Sequence, residues 1–228
     1  MSKEITTMEN EIAPKFLEKV TVDESMLDID QNDLQMSSLV LVQGNHPAKK
    51  LSDNIKDGDY VDMMTGDNYG KNVKVIILKH KKSWARKDEE GTITGYSTDG
   101  LFWNDGEAVT SDENFKRVEH NFFILLVDNM QPVPMRVKFK NTSSRSGKNL
   151  LNLLHREIKN GRPMHSKIYT LSSESMSFKK GEVLVMSAHP SSFCTETQFN
   201  MSNIVVETIK GVQIKASEEN SEPDIQLD

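Results

Sequence analysis

Apolar and basic residues alternate from Met135 to Lys140: Met135, Val137 and Phe139 fall on one face, Arg136, Lys138 and Lys140 on the other. That is the period-2 pattern of a half-buried strand with a basic outer face. A Ser/Thr/Gly loop follows, and then Leu150, Leu154 and Ile158 recur at i, i+4 and i+8, with Leu151 and Leu153 widening the stripe. This spacing predicts a helix. Asn160-Gly161 with Pro163 just beyond supplies the chemistry that ends it.

Elsewhere the periodicity is that of strands. Leu39 to Val42 is the first candidate core strand, closed by Gly44 and Pro47. Asp59 to Met64 and Val73 to Leu78, joined by Thr65-Gly66-Asp67-Asn68-Tyr69-Gly70, read as a hairpin. Its second strand continues through the basic run Lys79 to Lys87. Thr92 to Tyr96 and Leu101 to Trp103 are shorter pieces, separated by Asp99-Gly100. Phe122 to Val127 (FFILLV) is apolar without a break, the signature of a central strand buried on both faces. Lys167 to Leu171 and Glu182 to Ala188 flank a Lys179-Lys180-Gly181 corner, and residues 196–210 form a candidate terminal helix despite their β-branched run.

Strands in the majority, with one solid helix inserted late, predict a mostly-β fold: a small β-barrel, OB-like, carrying elaborated hairpins. Residues 1–38 read as an acidic leader, partly disordered, with a short amphipathic segment at Ile12, Phe16, Leu17 and Val20. Residues 39–215 make the domain. Residues 216–228 form a tail whose composition is that of a disordered segment.

Composition changes this picture little, and charge changes it more. With 36% hydrophobic and 27% charged residues the chain has a globular composition, and no apolar run reaches the ~18–20 residues of a membrane span. Its first residues hold no signal-peptide core, and the single Cys194 fits a reducing compartment. The net charge is −6, yet residues 71–167 carry 18 Lys/Arg against 11 Asp/Glu. An acidic chain has therefore gathered its cations in the middle, where a polyanion could be held. A solvated basic strand and helix would give the same pattern.

Several chemistries are missing. Thr142 to Asn149 lies between a strand and a helix, but a phosphate loop needs Gly in place of Thr142 and Ser or Thr in place of Asn149. A capped helix start, with Ser144 or Ser146 as acceptor, is the plainer reading. The six histidines lack metal-ligand spacing, and Asp57, Asp59 and Asp62 read as the rim of a turn. The expectation is a protein that is not an enzyme and holds no metal or cofactor.

What the residues do offer is nucleic-acid chemistry. Backbone binding needs Lys and Arg spread along a groove, and single strands add aromatics on which bases stack. Lys79, Lys81, Lys82, Arg86 and Lys87 surround Trp84, and Arg136, Lys138 and Lys140 project from one face of their strand. Arg145 and Lys148 open the helix, while Tyr96 and Trp103 in neighbouring hairpins could extend a platform. Core packing is the other reading of Trp84 and Trp103. The tail carboxylates Glu218, Glu219, Glu222, Asp224 and Asp228 could compete with phosphate for the same groove, or serve as a handle for partners.

The run GDYVDMMTGDNYGKNVKVIIL with KSWAR, and later VKFKNTSSRSGKNLLNLL with GRPMHSKIYTLSS, resembles a family of tailed-phage single-stranded-DNA-binding proteins with an OB-fold. The resemblance covers about residues 38–190 and extends to the acidic tail, which departs by ending Ile225-Gln226-Leu227-Asp228 and not on an aromatic. It implies single-strand binding without sequence preference during phage replication or recombination, in the host cytoplasm, with replication or recombination proteins as partners of the acidic tail. A phage accessory or structural interaction protein whose basic face binds an acidic protein partner is the alternative.

Overall fold

Two runs that are apolar on both faces need partners on both sides, and they set the architecture. A computed structural model describes residues 36–88, 92–110, 116–128, 133–178 and 181–210, all within one compact unit. The leader before residue 36 and the tail after residue 210 lie outside the described residues, as do residues 129–132 and Lys179-Lys180. The chain forms β1 (Ser38–Leu41), β2 (Tyr60–Asp62), β3 (Asn72–Lys87), β4 (Ile93–Ser97), β5 (Lys116–Leu126) and β6 (Met135–Phe139). Then come helix α1 (Ser144–Lys159), β7 (Lys167–Phe178), β8 (Gly181–Phe193) and helix α2 (Glu196–Thr208).

The strands join into a half-barrel sheet in the order β2-β1-β6-β5-β3-β7-β8, with β4 added beside β3. All ladders are antiparallel except β1 with β6, a short parallel pairing of Ser38 with Arg136 and Leu39 with Val137. The mostly-β class with one main inserted helix is therefore as expected, and the terminal helix forms as well. At the seam, the Tyr60 hydroxyl donates to the Ser172 carbonyl (2.8 Å) and the Ser173 hydroxyl to the Gly58 carbonyl (3.1 Å), tying the β2 end to β7.

The expected hairpin of residues 59–64 with 73–78 does not form. β2 pairs with β1, and Val61 bridges only locally to Asn68. The reason lies in β3: Val73, Val75 and Ile77 are buried on one face, and Ile76 and Leu78 on the other. A three-residue edge strand such as β2 cannot cover such a run, and the interior position between β5 and β7 does. Of the three aspartates, Asp57 is ion-paired with Lys49 (2.9 Å), and the other two shape turns. Asp59 accepts from Lys56 N (2.9 Å) and Asn68 Nδ2 (2.9 Å), and Asp62 from Met64 N (2.7 Å).

Each sheet face has its own core. Leu150 and Leu154 of α1 pack on Val75, Ile77, Phe122, Ile124, Val137 and Phe139. Val205 and Ile209 at the end of α2 pack on Ile76, Leu78, Phe123, Leu125 and Ile168. The α1 seat is tight, since a Cβ added at Gly147 would stand 2.8 Å from Phe139 Cβ and 3.2 Å from His120 Cβ. Below, the two sides of the sheet are the α1 face and the α2 face.

Candidate nucleic-acid interface

The register between β3 and β5 slips between Ile77 and Lys79: Ile77 sits opposite Ile124, yet Lys79 sits opposite Phe123. One residue, Leu78, is extra. Because side chains alternate with period 2, such a bulge reverses which positions face which side. Before it, odd-numbered β3 residues face α1. After it, Lys79, Lys81, Ser83, Ala85 and Lys87 belong to the α2 face, while His80, Lys82, Trp84 and Arg86 turn to the α1 face.

Neighbouring strands bring their own cations to the α2 face. Phe123 is opposite Arg136 and Asn121 opposite Lys138 in β6, so Arg136, Lys138 and the following Lys140 stand on the same side. Arg117 is opposite Ala85, which on its other side meets Tyr96 of β4. Lys79, Lys81, Lys87, Arg117, Arg136, Lys138 and Lys140 thus form a field across three adjacent strands, with Tyr96 at its edge. Arg117 was absent from the sequence reading, although the polar alternation Arg117, Glu119, Asn121 ahead of FFILLV carries the signal.

The α2 helix covers the apolar half of this face and stops at Lys79. That ammonium donates to the carbonyls of Ile209 (2.9 Å) and Lys210 (3.1 Å) and lies 5.7 Å from the centre of the Phe123 ring. Burial first, and then Lys81, push the Lys79 pKa down. In the cationic half, buried Glu119 receives Ser83 Oγ (3.3 Å) and stands 3.4 Å from Lys138 Nζ. Asn121 Nδ2 donates to Ser83 Oγ (2.8 Å), and among the described residues its Oδ1 is buried without a hydrogen-bond partner. Burial lowers the Lys87 pKa to about 8, helped by Arg117 and Lys140 and opposed by Glu119 and Asp88. Like charges held this close raise the local potential, which is what a phosphate chain would relieve.

The remaining candidates stand on the other side. The Trp84 ring is half-buried under Gly100, whose added Cβ would come 2.8 Å from it, and Lys82 Nζ lies 4.7 Å from its centre. Trp103 is buried, with the Arg86 guanidinium 5.4 Å from its ring centre. Arg86 is also ion-paired to Asp105 (2.6 Å) and Glu107. Arg145 and Lys148 are exposed on α1. Beneath them His80 and His120 stack with ring nitrogens 3.1 Å apart. Burial, then the neighbouring His120 and Lys82, lower the His80 pKa to about 4. The structure therefore splits the run Lys79 to Lys87 between two surfaces. The tail carboxylates at residues 218–228 lie outside the described residues.

A family model for Pam3 phage gp34-like proteins matches residues 7–215. The chain belongs to the Pam3 phage gp34-like family. It is therefore a phage protein, in line with the phage part of the expectation. No curated protein and no solved structure matches it. Among the described residues no helix is long and apolar enough to cross a membrane, and no group of three or more His, Cys, Asp or Glu could hold a metal ion.

Proposed function

We propose that this phage protein binds single-stranded DNA without sequence preference through the cationic half of its α2 face. In this reading it is an OB-like single-strand-binding protein that acts without catalysis, protecting DNA during phage replication or recombination in the host cytoplasm. The observation that carries the reading is the field of Lys79, Lys81, Lys87, Arg117, Arg136, Lys138 and Lys140 across β3, β5 and β6, bordered by Tyr96. A cationic field spanning several strands can follow a flexible phosphate chain, and an aromatic at its edge can stack any base. One observation favours a second reading, an acidic protein partner: Trp84 and Trp103 are turned away from this field, leaving it mainly electrostatic.

The test is fluorescence anisotropy of labelled oligo-dT with the full chain, repeated with a polyglutamate peptide. About five phosphate contacts at a slope of about −0.7 each predict a loss of roughly two orders of magnitude between ~50 and ~200 mM salt. A flat salt response, or no binding to oligo-dT at low salt, refutes the proposal. Polyglutamate bound as tightly as oligo-dT supports the second reading.

A further inference from the structure

The solvent face of α1 carries charge of one sign. Arg145, Lys148, Asn152, Arg156 and Lys159 recur at i, i+3, i+7, i+11 and i+14, all exposed, opposite the buried Gly147, Leu150, Leu154 and Glu157. From Arg145 to Lys159 the stripe is roughly 20 Å long. The helix has one acid, Glu157, and it is turned inward. Among the described residues none of the four cations makes a hydrogen bond or an ion pair. A surface helix that needs only to be soluble mixes signs, because opposite charges at i, i+4 stabilise it and like charges do the reverse. The helix dipole accounts for Arg156 and Lys159, which stand in the last turn where cations are favoured. It does not account for Arg145 and Lys148. The first turn holds no acid, and a cation there faces the positive end of the dipole.

At the C-terminal end of the stripe stands an open aromatic. Phe193, paired opposite Lys167, is 58% exposed. Lys167 Nζ lies 4.8 Å and the Arg162 guanidinium 5.7 Å from its ring centre. Both cations are anchored by Glu157 in the last turn of α1: its Oε1 accepts from Lys167 Nζ (2.8 Å) and its Oε2 from Arg162 Nε (2.6 Å). The guanidinium of Arg162 uses Nε alone. Among the described residues its two Nη groups have no hydrogen-bond partner, and they suit a phosphate gripped by two parallel bonds.

We infer that the α1 stripe, ending on Phe193, is a second track for single-stranded DNA, on the side of the sheet opposite the α2-face field. Phosphates follow the cations from Arg145 to Arg162, and a base stacks on Phe193. At ~3.4 Å per phosphate of a stacked strand, roughly six phosphates fit along the helix. A duplex could use the cations but not the ring, because its bases are already stacked on one another. The choice of a DNA strand over other polyanions rests on the single-strand-binding reading.

The experiment is fluorescence anisotropy of the full chain with labelled oligo-dT and with a duplex of equal length, repeated across salt. Arg145→Gln combined with Lys148→Gln should weaken oligo-dT several-fold and flatten its salt slope by about 1.4, two contacts at about 0.7 each. Tm should hold or rise, because the two charges oppose the dipole; a purely structural role would lower Tm and leave the slope unchanged. Phe193→Leu should weaken oligo-dT about tenfold, toward the lower end for a lost base stack, without changing the salt slope or duplex binding. Phe193→Trp should keep the affinity. Unchanged oligo-dT binding by both the double variant and Phe193→Leu overturns the inference, as does a Phe193→Leu loss that is as large on duplex. Polyglutamate that loses affinity to the double variant while oligo-dT does not assigns the stripe to an acidic protein and also overturns it. If the α1 variants bind oligo-dT normally while Lys81→Gln with Lys140→Gln weakens it, the α1 track falls alone; if the parent chain does not bind oligo-dT, both readings fall.

Discussion

Replacing Gly147 by Ala sets two effects of opposite sign against each other. Gly147 occupies the first turn of α1, so by helix propensity alone Ala should stabilise by up to about 1 kcal/mol. Against this, the new methyl would stand 2.8 Å from Phe139 Cβ and 3.2 Å from His120 Cβ. Neither atom is the far end of a flexible chain. Phe139 is fully buried, paired in β6 opposite His120 and packed edge-on against Phe122 with centroids 5.5 Å apart. Relief requires α1 to lift from the sheet, which loosens Leu150 and Leu154 as well. Overpacking of this kind costs roughly 1–3 kcal/mol and outweighs the propensity gain. A net loss of about 1–2 kcal/mol corresponds to a fall in Tm of roughly 2–8 °C for a domain of this size. Differential scanning calorimetry of Gly147→Ala beside Asn149→Ala, an exposed position on the same helix, isolates the contact. Asn149→Ala should hold or slightly raise Tm. If Gly147→Ala also holds or raises it, α1 is not seated as described.

Three further outcomes follow from the site. Phosphate favours charged Lys87, whose pKa in the free protein is about 8, so oligo-dT affinity should be full below pH 8 and fall as pH rises through it. Lys87→Arg, which stays charged, should remove that part of the pH dependence in anisotropy titrations between pH 7 and 9, and an unchanged profile would exclude Lys87. Tyr96→Ala should weaken oligo-dT binding by about 1–3 kcal/mol with little change in Tm, whereas Trp84→Ala should lower Tm and leave binding per folded molecule intact; the opposite pattern would move the interface to the α1 face. Deleting residues 217–228 should tighten binding at low salt and lose that effect at high salt, because five carboxylates are removed from a chain whose α2 end is held by Lys79; equal affinity at low salt would rule out competition by the tail.

The elements that announced themselves were those whose burial leaves a regular trace. Met135 to Phe139 alternates because one face meets α1 and the other does not, and FFILLV is unbroken because α1 and α2 cover opposite sides of β5. The Leu150–Leu154 stripe with its Asn160-Gly161 stop needed nothing beyond local chemistry. Pairing was harder to read. The glycines between Tyr60 and Val73 are those of a hairpin, yet the strand partner of β2 is β1, about twenty residues earlier. Turn residues record the local path of the backbone. Which strand lies beside which is decided by long-range burial, and β3 has more apolar surface to hide than β2 could cover. The parallel contact of β1 with β6 left no trace in either segment, being only two residue pairs long.

The candidate site was legible as charge and illegible as geometry, and the cause is a single residue. In strict alternation from Val73, Lys79, Lys81 and Lys87 would share the α1 face with Val75 and Ile77, and Trp84 would stand on the opposite side with Ile76. The extra residue at Leu78 inverts both assignments. Nothing in VIILKHKK marks the insertion, since Leu78 is apolar like its neighbours and each side of the bulge is regular by itself. What fixes it is the far end of the strand. Trp84 needs the cover that Gly100 gives on the α1 face, and Ser83 needs Glu119 and Asn121 on the α2 face. The same inversion places Lys81 in a row with Asn121 and Lys138, so cations from β3 and β6 face one way. Without it, Lys82, Trp84 and Arg86 would face the α2 side with Arg117, Arg136, Lys138 and Lys140, and Lys79, Lys81 and Lys87 would be directed at α1. The bulge thus decides which half of the basic run shares a surface with β6: it sends Lys79, Lys81 and Lys87 there and takes Lys82, Trp84 and Arg86 away.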